Sequence, residues 1–169
     1  MRLVLGWLIL LAGGFATAQA SGQAGFASRE EAVNRFVAAL EANDKQALLA
    51  LLIPRDQYRD VIIPGSVEPG QPLRQWTEKS RQYFADSFFA KSDHYADVLL
   101  KDWGGRKLTQ KKVYFTRPAK AWATYIAHGE LRIEVEADPP VDQEPVIRTG
   151  YIAEIDGSFA FVGFLHDDD

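Results

Sequence analysis

The 169-residue chain has no cysteine. This excludes disulfides, a thiolate nucleophile and any Cys-ligated zinc or iron–sulfur centre, and it removes the attachment point of a bacterial-type lipid anchor. Histidine is nearly as scarce. His94, His128 and His166 are the full set, and no two stand at a helical or strand spacing that would build a metal site. No metal or other cofactor is expected. There is no glycine-rich phosphate loop, no Ser/His/Asp order and no basic stripe interleaved with aromatics. A surplus of positive charge is also missing. Lys and Arg number 19 against 23 Asp and Glu, a formal net charge of −4, which argues against nucleic acid and anionic membrane surfaces as partners. Internal repeats and low-complexity segments are absent as well.

What is present begins at the N-terminus. Residues 1–20, MRLVLGWLILLAGGFATAQA, read as a secretory signal peptide. Arg2 forms a short positive region, Leu3 to Ala12 an apolar core, and Ala18-Gln19-Ala20 a small-x-small cleavage site. The competing reading is an uncleaved membrane anchor, but the apolar run falls short of the ~20 residues that a spanning helix needs. The protein is therefore expected to be exported, to periplasm or medium, with no stable membrane anchor after cleavage. Residues 21–169 are the size of one domain and long enough to fold without staples. The expected organisation is a flexible segment over 21–27, a single domain over 28–166 and a solvated acidic tail, Asp167 to Asp169.

Ser28 followed by Glu31 is a capping box opening a helix with Val33, Phe36, Val37 and Leu40 on one stripe. Asn43-Asp44 interrupts it. Asp44 suits the N-cap of a second helix carrying Leu48, Leu49, Leu51 and Leu52, which ends before Pro54. Four prolines between 54 and 72 mark a loop with one helical turn near Gln57 to Val61. A third helix is expected from Pro72, with Leu73, Trp76, Tyr83, Phe84 and Phe88 as its apolar stripe. After Ser92 the pattern reads with period two. Strands are expected over Tyr95 to Lys101, Leu108 to Arg117, Ala121 to Glu136, Val146 to Ile155 and Phe159 to Leu165, with a bulge or bend at Gly129 and a hairpin at Asp156-Gly157. Asp102 to Gly105 reads as a turn, and the cluster Arg106, Lys107, Lys111 and Lys112 as a solvated hairpin tip. Helices followed by strands give an α+β fold with the helices on one face of an antiparallel sheet. The last strand is apolar on both faces, with Phe159, Phe161 and Leu165 against Val162 and Phe164. One face would normally be polar, so a central strand and a homodimer contact are expected there, the competing explanation being that Asp102 to Lys107 or the 138–145 loop folds over that face within one subunit.

FVAALEANDKQALLALL (Phe36 to Leu52) resembles the opening of the nuclear transport factor 2-like superfamily, and GYIAEIDGSFAFVGF (Gly150 to Phe164) resembles its closing strands. The shared element order runs from about Ser28 to His166. The resemblance implies a cone-shaped, cystatin-like roll, in which a curved antiparallel sheet wraps the N-terminal helices in its concave face and leaves a cavity at the wide end. The superfamily includes ketosteroid isomerase, scytalone dehydratase and SnoaL-type cyclases, and also binding domains without chemistry, so the fold does not decide the function.

Acid–base chemistry would need a carboxylate with a phenol or a histidine in an apolar pocket. Asp97 with Tyr95, and Asp86 beside Tyr83 and Phe84, have the right groups, although solvent-facing positions explain both pairs equally well. His94 is expected to be exposed. His128 shares parity with Glu130 and Arg132 and is expected on the outer face unless Gly129 flips it. His166 adjoins the acidic tail. Tyr58, Trp76, Tyr83, Trp122, Tyr125 and Tyr151 are the candidates to line a cavity for a small apolar ligand, against the alternative that they pack the core. Two functions follow as expectations. One is an exported, non-catalytic domain binding a small apolar ligand or a protein partner. The other is a cofactor-free isomerase, dehydratase or cyclase working through Asp, Tyr and His.

Overall fold

The computed structural model describes residues 25–164. The expected signal peptide, most of the 21–27 segment, Leu165, His166 and the acidic tail lie outside the described residues. The architecture is α+β, with helices and antiparallel sheets.

Helix α1 (Arg29–Glu41) starts at the expected cap, where Ser28 Oγ accepts the Glu31 N–H at 3.0 Å. The Glu31 carboxylate reaches past the cap to accept from the Ala27 N–H, also at 3.0 Å. Its inner stripe buries Val33, Phe36, Val37 and Leu40. Asn43 takes a left-handed conformation (φ 51°) and stops the helix. Asp44 Oδ1 then accepts the Ala47 N–H at 2.9 Å and caps α2 (Lys45–Leu49). Leu51 and Leu52 fall beyond α2, yet both are buried. Past Pro54 the chain stays helical for longer than one turn: α3 (Arg55–Gln57), a π-helical turn (Tyr58–Ile62) and α4 (Ile63–Gly65). The Ile63 N–H bonds to the Tyr58 carbonyl five residues back. Pro64 comes next, and its missing N–H and bulky ring would break a regular α-helical ladder there.

Two expectations fail in the next segment. The third helix, α5 (Glu78–Trp103), begins six residues after Pro72, where Thr77 Oγ1 accepts the Ser80 N–H at 3.1 Å. It then runs straight through Tyr95 to Lys101, which the alternating pattern assigned to a strand. The stripe that decides is Ser92, Ala96, Leu99 and Trp103, all buried at helical spacing. No Gly or Pro interrupts α5 before Gly104. Trp103, expected in a turn, is instead a buried last-turn residue. The expected stripe of Leu73, Trp76, Tyr83 and Phe84 is exposed.

Two sheets follow, one ordered β1 (Lys107–Phe115), β4 (Leu131–Asp138), β5 (Val146–Thr149) and the other β2 (Lys120–Ala121), β3 (Ile126–His128), β6 (Ile152–Ile155), β7 (Ser158–Phe161). The long strand expected from Ala121 divides into β3 (Ile126–His128) and β4 (Leu131–Asp138), preceded by the short β2 (Lys120–Ala121). Its partner divides at Gly150-Tyr151 into β5 (Val146–Thr149) and β6 (Ile152–Ile155). His128 pairs with Ile152 and Leu131 with Thr149, so the register continues unchanged across both breaks. The two long strands therefore bend together, with no residue inserted into either. Strand β1 (Lys107–Phe115) pairs with β4 and carries a bulge between Gln110 and Lys112. Leu131, Ile133 and Val135 point inward, as their alternation requires. Lys111 and Lys112 pair with Glu136 and Glu134 on the outer face. Arg106 is tied down, donating to the carbonyls of Asp102, Pro139 and Pro140.

Strand β7 (Ser158–Phe161) closes a hairpin with β6 through Asp156 (φ 51°) and Gly157 (φ 77°), the left-handed pair that a two-residue turn demands. It is the last strand in the sheet order rather than a central one, but its outer edge is covered. Phe26 exchanges two backbone hydrogen bonds with Phe159, while the Ile53 N–H and the Leu51 carbonyl bond to Phe161. Phe161 and Phe164 are 0% and 1% exposed and pack on Phe36 and on each other. The strand ends at Phe161, so the expected alternation does not extend to Phe164. The apolar surplus that suggested a second subunit is therefore covered at these two positions by the chain itself.

Candidate functional site

The bend of the sheet creates a groove of about 930 Å³. One wall is the run Arg117 to Trp122, which enters and forms β2. Tyr151 and Val162, Tyr125, Ala127 and Gly129, and Glu68 and Pro69 complete the lining. Gly129 has a steric role here. A Cβ at this position would stand 2.2 Å from Cε1 of Tyr151, so only glycine lets that ring lie across the bend. The segment 122–125 is anchored from behind. Thr124 Oγ1 donates to the Val61 carbonyl at 2.9 Å, and the Ala123 N–H bonds to the carbonyls of Gly65 and Val67.

Charged groups at the groove are paired. Arg117 forms a salt bridge with Glu130 and donates to the Tyr151 hydroxyl at 3.3 Å. Glu130, only 13% exposed, also accepts from Thr116 Oγ1 at 2.7 Å and faces Arg132 at 3.3 Å. Lys120 Nζ lies 3.0 Å from Glu68 and 3.8 Å from the centre of the Trp122 ring. Trp122 in turn stacks on Tyr125 with centroids 6.2 Å apart. The groove thus presents aromatic rings, Ala, Pro and Val, rimmed by two neutralised cations.

Of the six aromatic candidates, the structure brings Trp122, Tyr125 and Tyr151 together in this groove. Tyr58 sits behind it, in the same apolar cluster as Tyr125 and Val162, stacked on Phe88 at 4.4 Å. Burial pushes the Tyr58 phenol up to about 12, with a smaller contribution from the negative charge that Tyr125 would carry. Burial also raises Tyr125, against the opposing effect of its hydrogen bond with Ser66. Trp76 and Tyr83 lie elsewhere. They are 37% and 68% exposed and meet only at the edges of Phe84 among the ring contacts. The sequence reading missed Glu68, Pro69, Arg117, Lys120 and Val162. Pro118-Ala119 is legible as a turn, but nothing local shows that it shares a groove with Gly129 and Tyr151, 10 to 33 residues later.

The acid–base candidates are dispersed or occupied. Asp97 is an exposed partner of Lys45 at 2.8 Å, and the hydrogen bonds that the ammonium donates to Asp97 and then to Asp93 raise its pKa. Asp86 pairs with Arg55 and accepts from Gln82. His94 is exposed. His128 is a correction: it is buried, 8% exposed, because the bend turns it inward between Phe115 and Phe159. Its Nδ1 lies 3.4 Å from Arg29 Nη1 and its Nε2 2.9 Å from Glu154 Oε2. A guanidinium can only donate, so Nδ1 accepts and the Nε2 proton goes to Glu154. Both ring nitrogens are therefore engaged. Among the described residues, no group of three or more His, Asp or Glu side chains is placed to hold a metal ion, and no helix is long and apolar enough to cross a membrane.

Two further hollows, of about 760 Å³ beside the start of α1 and about 320 Å³ beside the end of α5, are lined by more mixed polar and apolar side chains. Comparison of the chain with protein-family models and with curated protein sequences finds no match.

Proposed function

We propose that the chain is an exported, non-catalytic binding domain of the nuclear transport factor 2-like type, and that the groove at the sheet bend takes a small, flat, uncharged apolar ligand. The observation that carries the reading is the groove itself: Trp122, Tyr125 and Tyr151 form its surface, and each cation at its rim is held by a carboxylate of the same chain. A site of this kind offers ring surface and few unpaired charges, which suits a neutral aromatic or alicyclic compound. The element order and the two strands that bend together at Gly129 and Gly150 support a cone-like roll. Engagement of both His128 nitrogens, and surface ion pairs on Asp86 and Asp97, favour binding over acid–base turnover.

The test is titration of the purified domain with N-phenylnaphthylamine, a neutral probe that fluoresces in apolar surroundings. Saturable enhancement at one probe per chain is expected, weakened at least tenfold by Trp122→Ala and unaffected by Trp76→Ala. Equal enhancement in all three proteins would place the probe elsewhere and defeat the assignment.

A further inference from the structure

The polarity of the ligand follows from the direction of one hydrogen-bond chain beside the groove, an argument that rests on the groove being the binding site. Ser66 Oγ lies 2.7 Å from the Ile62 carbonyl and 2.9 Å from the Tyr125 hydroxyl. A carbonyl can only accept, so the single Ser66 proton points at Ile62. The Tyr125 hydroxyl must then donate its own proton to Ser66. Ser66 is fixed in this arrangement by α4, whose end it follows, and Tyr125 by the Thr124 and Ala123 bonds behind it. Both hydroxyls therefore have spent their protons inside the protein and retain only lone pairs.

The charged groups at the rim do not offset this end of the groove. Glu68 is a carboxylate, which only accepts, and Lys120 and Arg117 are each drawn to a carboxylate partner. We infer that the groove selects a flat apolar compound bearing a hydrogen-bond donor, an alcohol, phenol or ring N–H, whose proton is accepted by Tyr125 Oη, over the matching ketone or ether. A carbonyl placed at this end would meet oxygen lone pairs and lose its bonds to water without replacement. The same direction of donation removes Tyr125 as the proton donor to a developing oxyanion, which is the role a phenol would need in an isomerase.

The experiment compares α-tetralol with α-tetralone, which share a ring system and differ in a hydroxyl against a carbonyl, by isothermal titration of the native domain and two variants. In the native protein the alcohol is expected to bind about tenfold more tightly, equivalent to about 1.4 kcal/mol. Tyr125→Phe should bring the two within twofold by weakening the alcohol alone. Ser66→Ala keeps the phenol but frees its proton, and should raise the affinity for the ketone several-fold. Circular dichroism confirms that both variants are folded before titration. Equal affinities in the native protein, or a preference that survives Tyr125→Phe, would overturn the inference while leaving the groove as the site. Failure of both compounds to bind at millimolar concentration, together with failure of N-phenylnaphthylamine, would remove the groove reading as well.

Discussion

Replacing Gly129 with alanine probes the bend directly. The added Cβ would stand 2.2 Å from Cε1 and 2.4 Å from Cδ1 of Tyr151, where carbon atoms prefer about 3.5–4.0 Å. The ring must therefore move by more than an ångström. Gly129 does not have a positive φ, so the backbone accepts alanine and the strain falls on the Tyr151 contact alone. Tyr151 is half-buried and can yield, which sets the cost at the usual range for overpacking, about 1–3 kcal/mol. Tyr151→Ala alone removes part of a ring from the interior and should cost about 1–2 kcal/mol, below the range for a fully buried aromatic. The double variant places the new methyl in space the ring has left, so its destabilisation should fall short of the sum of the single effects by about 1–2 kcal/mol. Urea unfolding followed by circular dichroism measures all four proteins, and unchanged slopes would confirm that only stability has moved. Additivity within about 0.5 kcal/mol would show that the ring does not rest on Gly129, and the account of the bend would fail.

Four further outcomes follow from single contacts. Asp44→Ala removes the side-chain cap of α2 and should cost about 1 kcal/mol by urea unfolding, with Asp44→Asn recovering most of it. Gly65→Ala puts a Cβ 1.7 Å from Thr124 Oγ1 and should be costlier than Gly129→Ala, near 3 kcal/mol, because Thr124 is itself bonded to Val61. Tyr58 ionises near 10 when unfolded and about 12 when folded, so its contribution to stability is complete below pH 10 and is lost as pH rises through 12; Tyr58→Phe should flatten that part of the stability profile. Phe164→Asp buries a carboxylate against Phe36 and Phe161 and should unfold the chain, at a cost of ~5 kcal/mol, at every protein concentration; a folded variant that merely sediments differently would mean that Phe164 does face a second subunit.

The parts of the fold legible in the sequence are those whose signals are local. The Ser28 and Asp44 caps, the Asp156-Gly157 turn and the Leu131–Ile133–Val135 alternation each depend on residues within a few positions of one another, and each forms as read. Tyr95 to Lys101 has the period-two pattern of a strand, yet it lies inside α5. The stripe that packs is small instead, with Ser92 and Ala96 letting α5 approach the core before Leu99 and Trp103 fill it. Long-range packing also explains the aromatics. Exposure of Trp76 and Tyr83 and burial of His128 turn on where α5 begins and where two strands bend, and neither is encoded in the spacing around those residues.

The groove illustrates the same division at the level of function. Trp122 and Tyr125 are three residues apart and their nearness is visible in the sequence, but Tyr151 joins them only through the β3–β6 pairing and the shared bend. Constant pairing on either side of the bend sets Gly129 opposite Tyr151 and Glu130 opposite Gly150. A bulge in one strand would have shifted that register and moved Tyr151 off Gly129. Because neither strand gains a residue, the sheet changes direction while the ring keeps its seat, and the arrangement that turns His128 inward also leaves Tyr151 in the groove. The coupling makes a joint demand on the groove and the core. A substitution that straightens the bend should expose His128 and empty the aromatic wall together, whereas one that affects only ligand contacts, such as Trp122→Ala, should leave the His128–Glu154 bond intact. Nitrogen chemical shifts of the His128 ring report that bond independently of binding, and movement of His128 in Trp122→Ala would reverse the argument.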